Sequence, residues 1–161
     1  MGDRLKVIYP EAYNKLPNIV LPKPIQLLCE PWAGVAINQE MTSESILQAH
    51  QDWKNCKSAP NAVVPYGNYE GGDLVLWQAK CIIELLPSDA LLFMGSLLCH
   101  GNNKITGGIR NSVNLFTYKS NMDWVKRDLS TRAKRQGGKA VNKEKDKDLG
   151  KQARNKRVRR K

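Results

Sequence analysis

From Ala33 to Tyr118 the sequence is a series of short apolar segments, each closed by a turn signal. "GVAINQ", "LVLWQ", "KCIIELL" and "RNSVNLFTY" have the length and β-branched content of strands. In the last of these, Val113, Leu115 and Thr117 share one face. "AVVPY" reads as a strand start interrupted by Pro65, and "LLFMGSLLCH" as one strand buried on both faces. "GNYEGGD" reads as a tight reversal, "PSDA" as a turn led by its proline, and "GNNKITGG" as a loop. "ESILQAHQDW" fits a strand or a single helical turn, since its apolar run is too short to have a period. Many short strands without an intervening long helix predict a mainly β sandwich or barrel.

The flanks differ from this centre. Residues 1–31 hold five of the eight prolines, which predicts an extended Pro-rich lead-in (1–32) with little regular structure. The core is expected over 33–122. Residues 126–161 hold 16 of the 26 Lys and Arg but only 4 of the 15 Asp and Glu, so the net charge of +11 sits in this tail and the body is nearly neutral. Residues 123–161 bury too little apolar surface to offset their ordering entropy and are expected to be disordered.

A secreted or membrane-spanning protein is not expected. The first residues lack the apolar core of a secretory signal, and no apolar run approaches the ~20 residues that span a bilayer. Cys29, Cys56, Cys81 and Cys99 form no CxxC pair, as expected of reduced thiols in a nuclear or cytoplasmic protein that is not secreted.

The chain has 2 histidines, and both fall in polar settings beside strand-like segments. His50 and Asp52 stand two apart in "AHQDWKN", a spacing that puts both side chains on one face of extended backbone. His100 follows "LLC" on a later strand, expected to come from the opposite side of the sandwich. Two imidazoles and a carboxylate meeting on one face of a metal form the facial triad of non-haem Fe(II) oxygenases, with positions left for a bidentate co-substrate and O₂. A dicarboxylate co-substrate also needs a charged anchor. Arg110 offers a bidentate, permanently charged guanidinium, and Ser112 lies on the same strand face to add a hydroxyl. Gly107 and Gly108 are expected to form the turn that brings this strand beside the one carrying His100. Lys104 ranks below Arg110 because it sits in a Gly/Asn loop.

In order, "HQDW", "VVPYGNYEGGDLVL", "LLPSDALLFMGSLLCHG" and "TGGIRNSVNLFTY" resemble the 2-oxoglutarate/Fe(II)-dependent dioxygenases. The resemblance is to the fungal families grouped with the TET/JBP nucleic-acid-modifying oxygenases and covers residues 33–119. It implies a double-stranded β-helix (jelly roll) core, with Fe(II), 2-oxoglutarate and O₂ as cofactor and co-substrates. The reaction implied decarboxylates 2-oxoglutarate to succinate and CO₂ and hydroxylates a C–H bond, on a modified nucleic-acid base in that branch. By the same resemblance His50, Asp52 and His100 are the metal ligands and catalytic centre, and Arg110 with Ser112 clamps the co-substrate. Asn38, on the strand before HxD, is a further candidate for the co-substrate pocket. Two departures stand out. "PSDA" replaces the usual "PGD", a change compatible with the turn if Ser88 keeps a negative φ. The region before HxD is shorter than such enzymes generally carry, which leaves open a non-catalytic remnant that binds metal or nucleic acid.

Trp53 and Tyr66 read first as packing residues under the strands, and second as stacking partners for a substrate base. The tail supports DNA or RNA attachment through its phosphates, a nuclear-localisation signal at Arg154–Lys161, or a solvated segment without a role.

Overall fold

The computed structural model describes residues 2–16, 26–42 and 48–128. It is mainly β, with two antiparallel sheets. Strands β1 (Gly34–Met41), β7 (Ile105–Phe116), β2 (Asn61–Gly71) and β5 (Leu91–Phe93) form a four-stranded sheet in that order. β4 (Cys81–Ile83), β3 (Leu74–Leu76) and β6 (His100–Asn102) form a three-stranded sheet.

Period-2 alternation divides the large sheet into two faces. The register pairs Val35 with Leu115 and Leu115 with Ala62, and these pack on one side with Leu92. Their neighbours Val63, Leu91 and Phe93 pack on the other side with Leu74, Leu76 and Ile83 of the small sheet. The site residues of β1, β2 and β7 lie on this second, inner face.

Residues 2–16 of the lead-in are more ordered than expected, while residues 17–25, with Pro17, Pro22 and Pro24, lie outside the described residues. Residues 2–16 contain helices α1 (Gly2–Ile8) and α2 (Pro10–Lys15). Pro10 stands at the first helical position, where a missing N–H costs nothing. Leu5, Leu16 and Trp32 are buried on the outer face of the large sheet, and full burial of such a side chain contributes about 1.5–3 kcal/mol. Tertiary burial therefore overrides the proline signal.

Pro65 does not interrupt β2. Pairing with β5 ends at Val63, so the edge of β2 that Pro65 presents needs no donor. Its carbonyl instead accepts from Ser88 N at 2.8 Å. "LLFMGSLLCH" is two strands, not one. A turn in which Leu97 N and Leu98 N both donate to Met94 O separates β5 from β6 and carries the chain from one sheet to the other. Gly107 and Gly108 lie inside β7, opposite Glu70 and Tyr69, and β7 pairs with β1 and β2 rather than with β6. Gly108 takes φ 69 within the strand, and a Cβ there would strike the Asn68 carbonyl. Ser88 has φ 74, against the negative value expected, so a serine occupies the left-handed position a turn glycine would fill at less cost.

Residues 119–128 are helical, so 123–128 depart from the disorder expected of the tail. The remainder of the basic segment lies outside the described residues, as do residues 43–47 of "ESILQ". No helix among the described residues is long and apolar enough to cross a membrane.

Candidate metal centre

His50 and His100 are antiparallel neighbours, not ligands from opposite sides of a sandwich. His50 N donates to His100 O at 2.9 Å and His100 N to His50 O at 2.8 Å. This isolated bridge extends the small sheet by one residue pair and brings the imidazoles side by side, tilted 50° to each other, with ring centroids 4.3 Å apart. The segment after it is a turn rather than a strand. Asp52 N donates to Gly95 O at 3.0 Å, and Asn55 N to Asp52 O at 2.8 Å. The chain already turns at Asp52 itself, where Trp53 N donates to Gln51 O at 3.0 Å.

The three side chains converge. His50 Nε2 is 3.9 Å from Asp52 Oδ1, and His100 Nε2 is 3.8 Å from Asp52 Oδ2. One candidate ligand atom from each lies within 4.8 Å of the others. A single ion about 2 Å from each donor fits this set with a small inward movement.

The backbone prepares both imidazoles for such an ion. His50 Nδ1 lies 2.9 Å from Gln48 O, and His100 Nδ1 lies 2.9 Å from Leu98 O. A carbonyl can only accept, so each Nδ1 carries the proton and each Nε2 presents a lone pair to the centre. Burial pushes the His100 pKa below the usual histidine value, although the Leu98 carbonyl pulls it upward. The ring is held neutral, the form a metal needs. Phe93 supports it edge-on at 4.8 Å.

Asp52 is fixed by a residue that the sequence did not single out. Asn61 Nδ2 donates to Asp52 Oδ2 at 2.5 Å, and Asn55 Nδ2 donates to Asn61 Oδ1 at 3.3 Å. The signal was present, since Asn61 is a polar residue at an inward position of a strand otherwise apolar on that face. Gly95 makes room for the pair: a Cβ there would strike Asn61 and lie 2.8 Å from Asp52 Oδ2.

Arg110, Ser112 and Asn114 form a polar row along the inner face of β7. Arg110 is 2 % exposed, and its Nε and Nη2 have no hydrogen-bond partner. Nη1 meets only the Met41 sulfur, at 4.0 Å. Among the described residues no carboxylate comes within salt-bridge distance of it, and burial lowers its pKa, with Tyr69 and the more distant Asp73 pulling it back up. A buried guanidinium without a counter-ion is costly, and a bound carboxylate would relieve that cost. Ser112 Oγ accepts from Asn38 Nδ2 at 3.3 Å, which leaves the hydroxyl proton for a ligand. The expected clamp pair Arg110 and Ser112 and the further candidate Asn38 are thus on one face, and Lys104 is exposed.

A cavity of about 380 Å³ opens beside the triad, lined by His50, Asp52, Trp53, Asn61, Asn114 and Tyr118. Trp53 does not pack under the strands: it is 73 % exposed. Lys119 N donates to Lys54 O at 2.9 Å, which brings Trp53–Lys54 and Tyr118–Lys119 together at the mouth. Tyr66 faces the other side of the sheet, two residues from Val64 on β2, and takes no part in the site.

Among solved structures, the chain is similar to NgTET1 in complex with 5mC DNA. The match has a TM-score of 0.50 and 27% identity, and it covers 55% of this chain and 34% of NgTET1. The chain therefore spans about a third of the length of that protein. No protein-family model matches the sequence. No curated protein matches it either. The structural likeness and the His–Asp–His cluster together support a 2-oxoglutarate-oxygenase-like architecture.

Proposed function

We propose that this chain is an Fe(II)- and 2-oxoglutarate-dependent dioxygenase that hydroxylates a C–H bond on a nucleic-acid base. The observation that carries the reading is the buried Arg110 guanidinium, its Nε and Nη2 without a partner, on the sheet face that leads through Ser112 and Asn114 to the cavity lined by His50 and Asp52. A module that only bound metal would have no use for an enclosed cation held ready for a carboxylate. The two sheets are read accordingly as a reduced double-stranded β-helix.

His50, Asp52 and His100 would hold the metal. Fe(II) bound there, with 2-oxoglutarate and O₂, supplies the oxidation. The protein's own part is to orient and to exclude water. The Gln48 and Leu98 carbonyls keep both Nε2 atoms unprotonated, and Asn61 holds the Asp52 carboxylate against rotation. Arg110 and Ser112 would grip the distal carboxylate of the co-substrate, with Asn38 fixing the serine hydroxyl.

Three observations support a nucleic-acid substrate. NgTET1, to which the chain is similar, was solved with 5mC DNA. Trp53 and Tyr118 offer flat surfaces at the cavity mouth beside Lys54 and Lys119, suited to a base and its phosphates. The sequence beyond Met122 adds a run of positive charge for non-specific attachment. A base in a duplex would have to leave the stack to reach the cavity.

The test is incubation of the Fe(II)-loaded protein with 2-oxoglutarate and an oligonucleotide containing 5-methylcytosine, following succinate and the mass of the released nucleosides. Succinate and a hydroxylated base that both disappear in His100→Ala are expected. Succinate no higher than in that variant would contradict the reading.

A further inference from the structure

Arg110 has a neighbour that neither the metal cluster nor the expected clamp accounts for. Tyr69 stands on the inner face of β2, two residues from Gly67, the direct cross-strand partner of Arg110. Its ring centroid is 5.6 Å from the guanidinium carbon. Its hydroxyl donates to Leu85 O at 2.6 Å. Burial pushes the Tyr69 pKa up, with Arg110 pulling it down, so the phenol stays a neutral donor.

Leu85 is itself fixed. It is buried at the start of the turn in which Leu86 N donates to Asp89 Oδ2 at 2.9 Å and Asp89 N to Leu86 O at 3.0 Å. Ser88 N fastens the same turn back onto β2 through Pro65 O at 2.8 Å. A chain of contacts thus runs from the "PSDA" turn through the Leu85 carbonyl and the Tyr69 ring to the guanidinium. On another side Gly72 is close enough that a Cβ there would lie 2.9 Å from Arg110 Cδ. Arg110 is held by a ring, a glycine backbone and a thioether, and its Nε and Nη2 keep their donors free.

The geometry points to Tyr69 as the positioning residue of a carboxylate subsite at Arg110: anchored on the Leu85 carbonyl, its ring holds the guanidinium in the attitude that grips the distal carboxylate of a 2-oxo diacid. The inference rests on the dioxygenase reading and assigns to it a residue outside the metal ligands and the Arg–Ser pair. The ring contributes the attraction of a cation for an aromatic face, and the hydroxyl sets where that face lies. A freed ring would let the guanidinium swing, and a two-point grip on a carboxylate is lost with a small rotation.

Calorimetric titration of Mn(II)-loaded protein gives the test, with two probes. N-oxalylglycine, an unreactive analogue of 2-oxoglutarate, spans metal and Arg110. Oxalate chelates metal without reaching Arg110. Tyr69→Phe keeps the ring volume and is expected to weaken N-oxalylglycine about tenfold, the scale of one lost hydrogen bond, with oxalate affinity unchanged. Tyr69→Leu, which removes the ring, is expected to lose more of the first and none of the second. Parental affinity for N-oxalylglycine in Tyr69→Phe overturns the assignment. So does an equal loss for both probes, which marks a general structural defect. If the parent itself does not bind N-oxalylglycine, or Arg110→Met binds it as well as the parent does, the dioxygenase reading fails and takes this one with it.

Discussion

His50 and His100 exchange both of their backbone hydrogen bonds, and each then turns its Nδ1 to the carbonyl two residues before it. The same local arrangement is thus repeated on two paired segments. It places two Nε2 lone pairs on one side of the bridge, where Asp52 meets them. The candidate centre is built chiefly from backbone geometry, and its sensitivity to substitution follows from that.

Asp52 depends on Asn61 and on the bare backbone of Gly95. Asn61→Ala is expected to lower metal affinity about 10–100-fold while the sheets stay folded. Gly95→Ala should do the same by pushing a methyl group against Asp52. Competition titrations with a metal-sensitive dye, read beside circular dichroism, separate loss of metal from loss of fold.

Arg110 gives a prediction of unusual sign. Its guanidinium is enclosed with Nε and Nη2 unsatisfied and no carboxylate of the described residues at salt-bridge distance, so Arg110→Met should stabilise the fold, by about 1–4 kcal/mol if the relief resembles that of other buried charges replaced by apolar groups. Urea unfolding measures this. The variant should also lose the stabilisation that 2-oxoglutarate gives the metal-loaded parent.

Ser88 holds φ 74 at an exposed turn. Ser88→Gly removes the left-handed penalty and adds unfolded-state entropy, for a net gain expected at about 0.5–1 kcal/mol. A raised urea midpoint with an unchanged slope is the expected result.

Trp53 is exposed at the cavity mouth, so Trp53→Ala should change stability by less than about 0.5 kcal/mol. Binding of a single-stranded oligonucleotide, followed by fluorescence anisotropy at fixed salt, should weaken by about 1–3 kcal/mol if the indole stacks on a base.

The sequence made the mainly β character readable, because period-2 alternation and turn residues are local signals. The same alternation put Arg110 and Ser112 on one face of β7. Contacts made at a distance were not readable. Pro10 and its neighbours suggested an irregular lead-in, yet Leu5 and Leu16 gain enough by burial on the large sheet to form helices. Gly107 and Gly108 looked like a turn, but pairing with β2 draws them into β7. Asn61 and Tyr69 went unnoticed for a related reason. Their roles appear only when β2 is carried straight through Pro65 and the glycines, so that both fall on the inner face. Trp53 was misjudged because the chain turns at Asp52 and directs the indole outward.

The central claim is one metal held by His50, Asp52 and His100, with a 2-oxo acid anchored at Arg110. Anaerobic titration of the Fe(II)-loaded protein with 2-oxoglutarate tests it most directly, through the weak visible metal-to-ligand charge-transfer band. The account predicts a saturable band in the parent, no band in His100→Ala, and saturation at far higher 2-oxoglutarate in Arg110→Ala. A folded, iron-loaded parent that shows no band, or an Arg110→Ala titration that overlays the parent's, would contradict it.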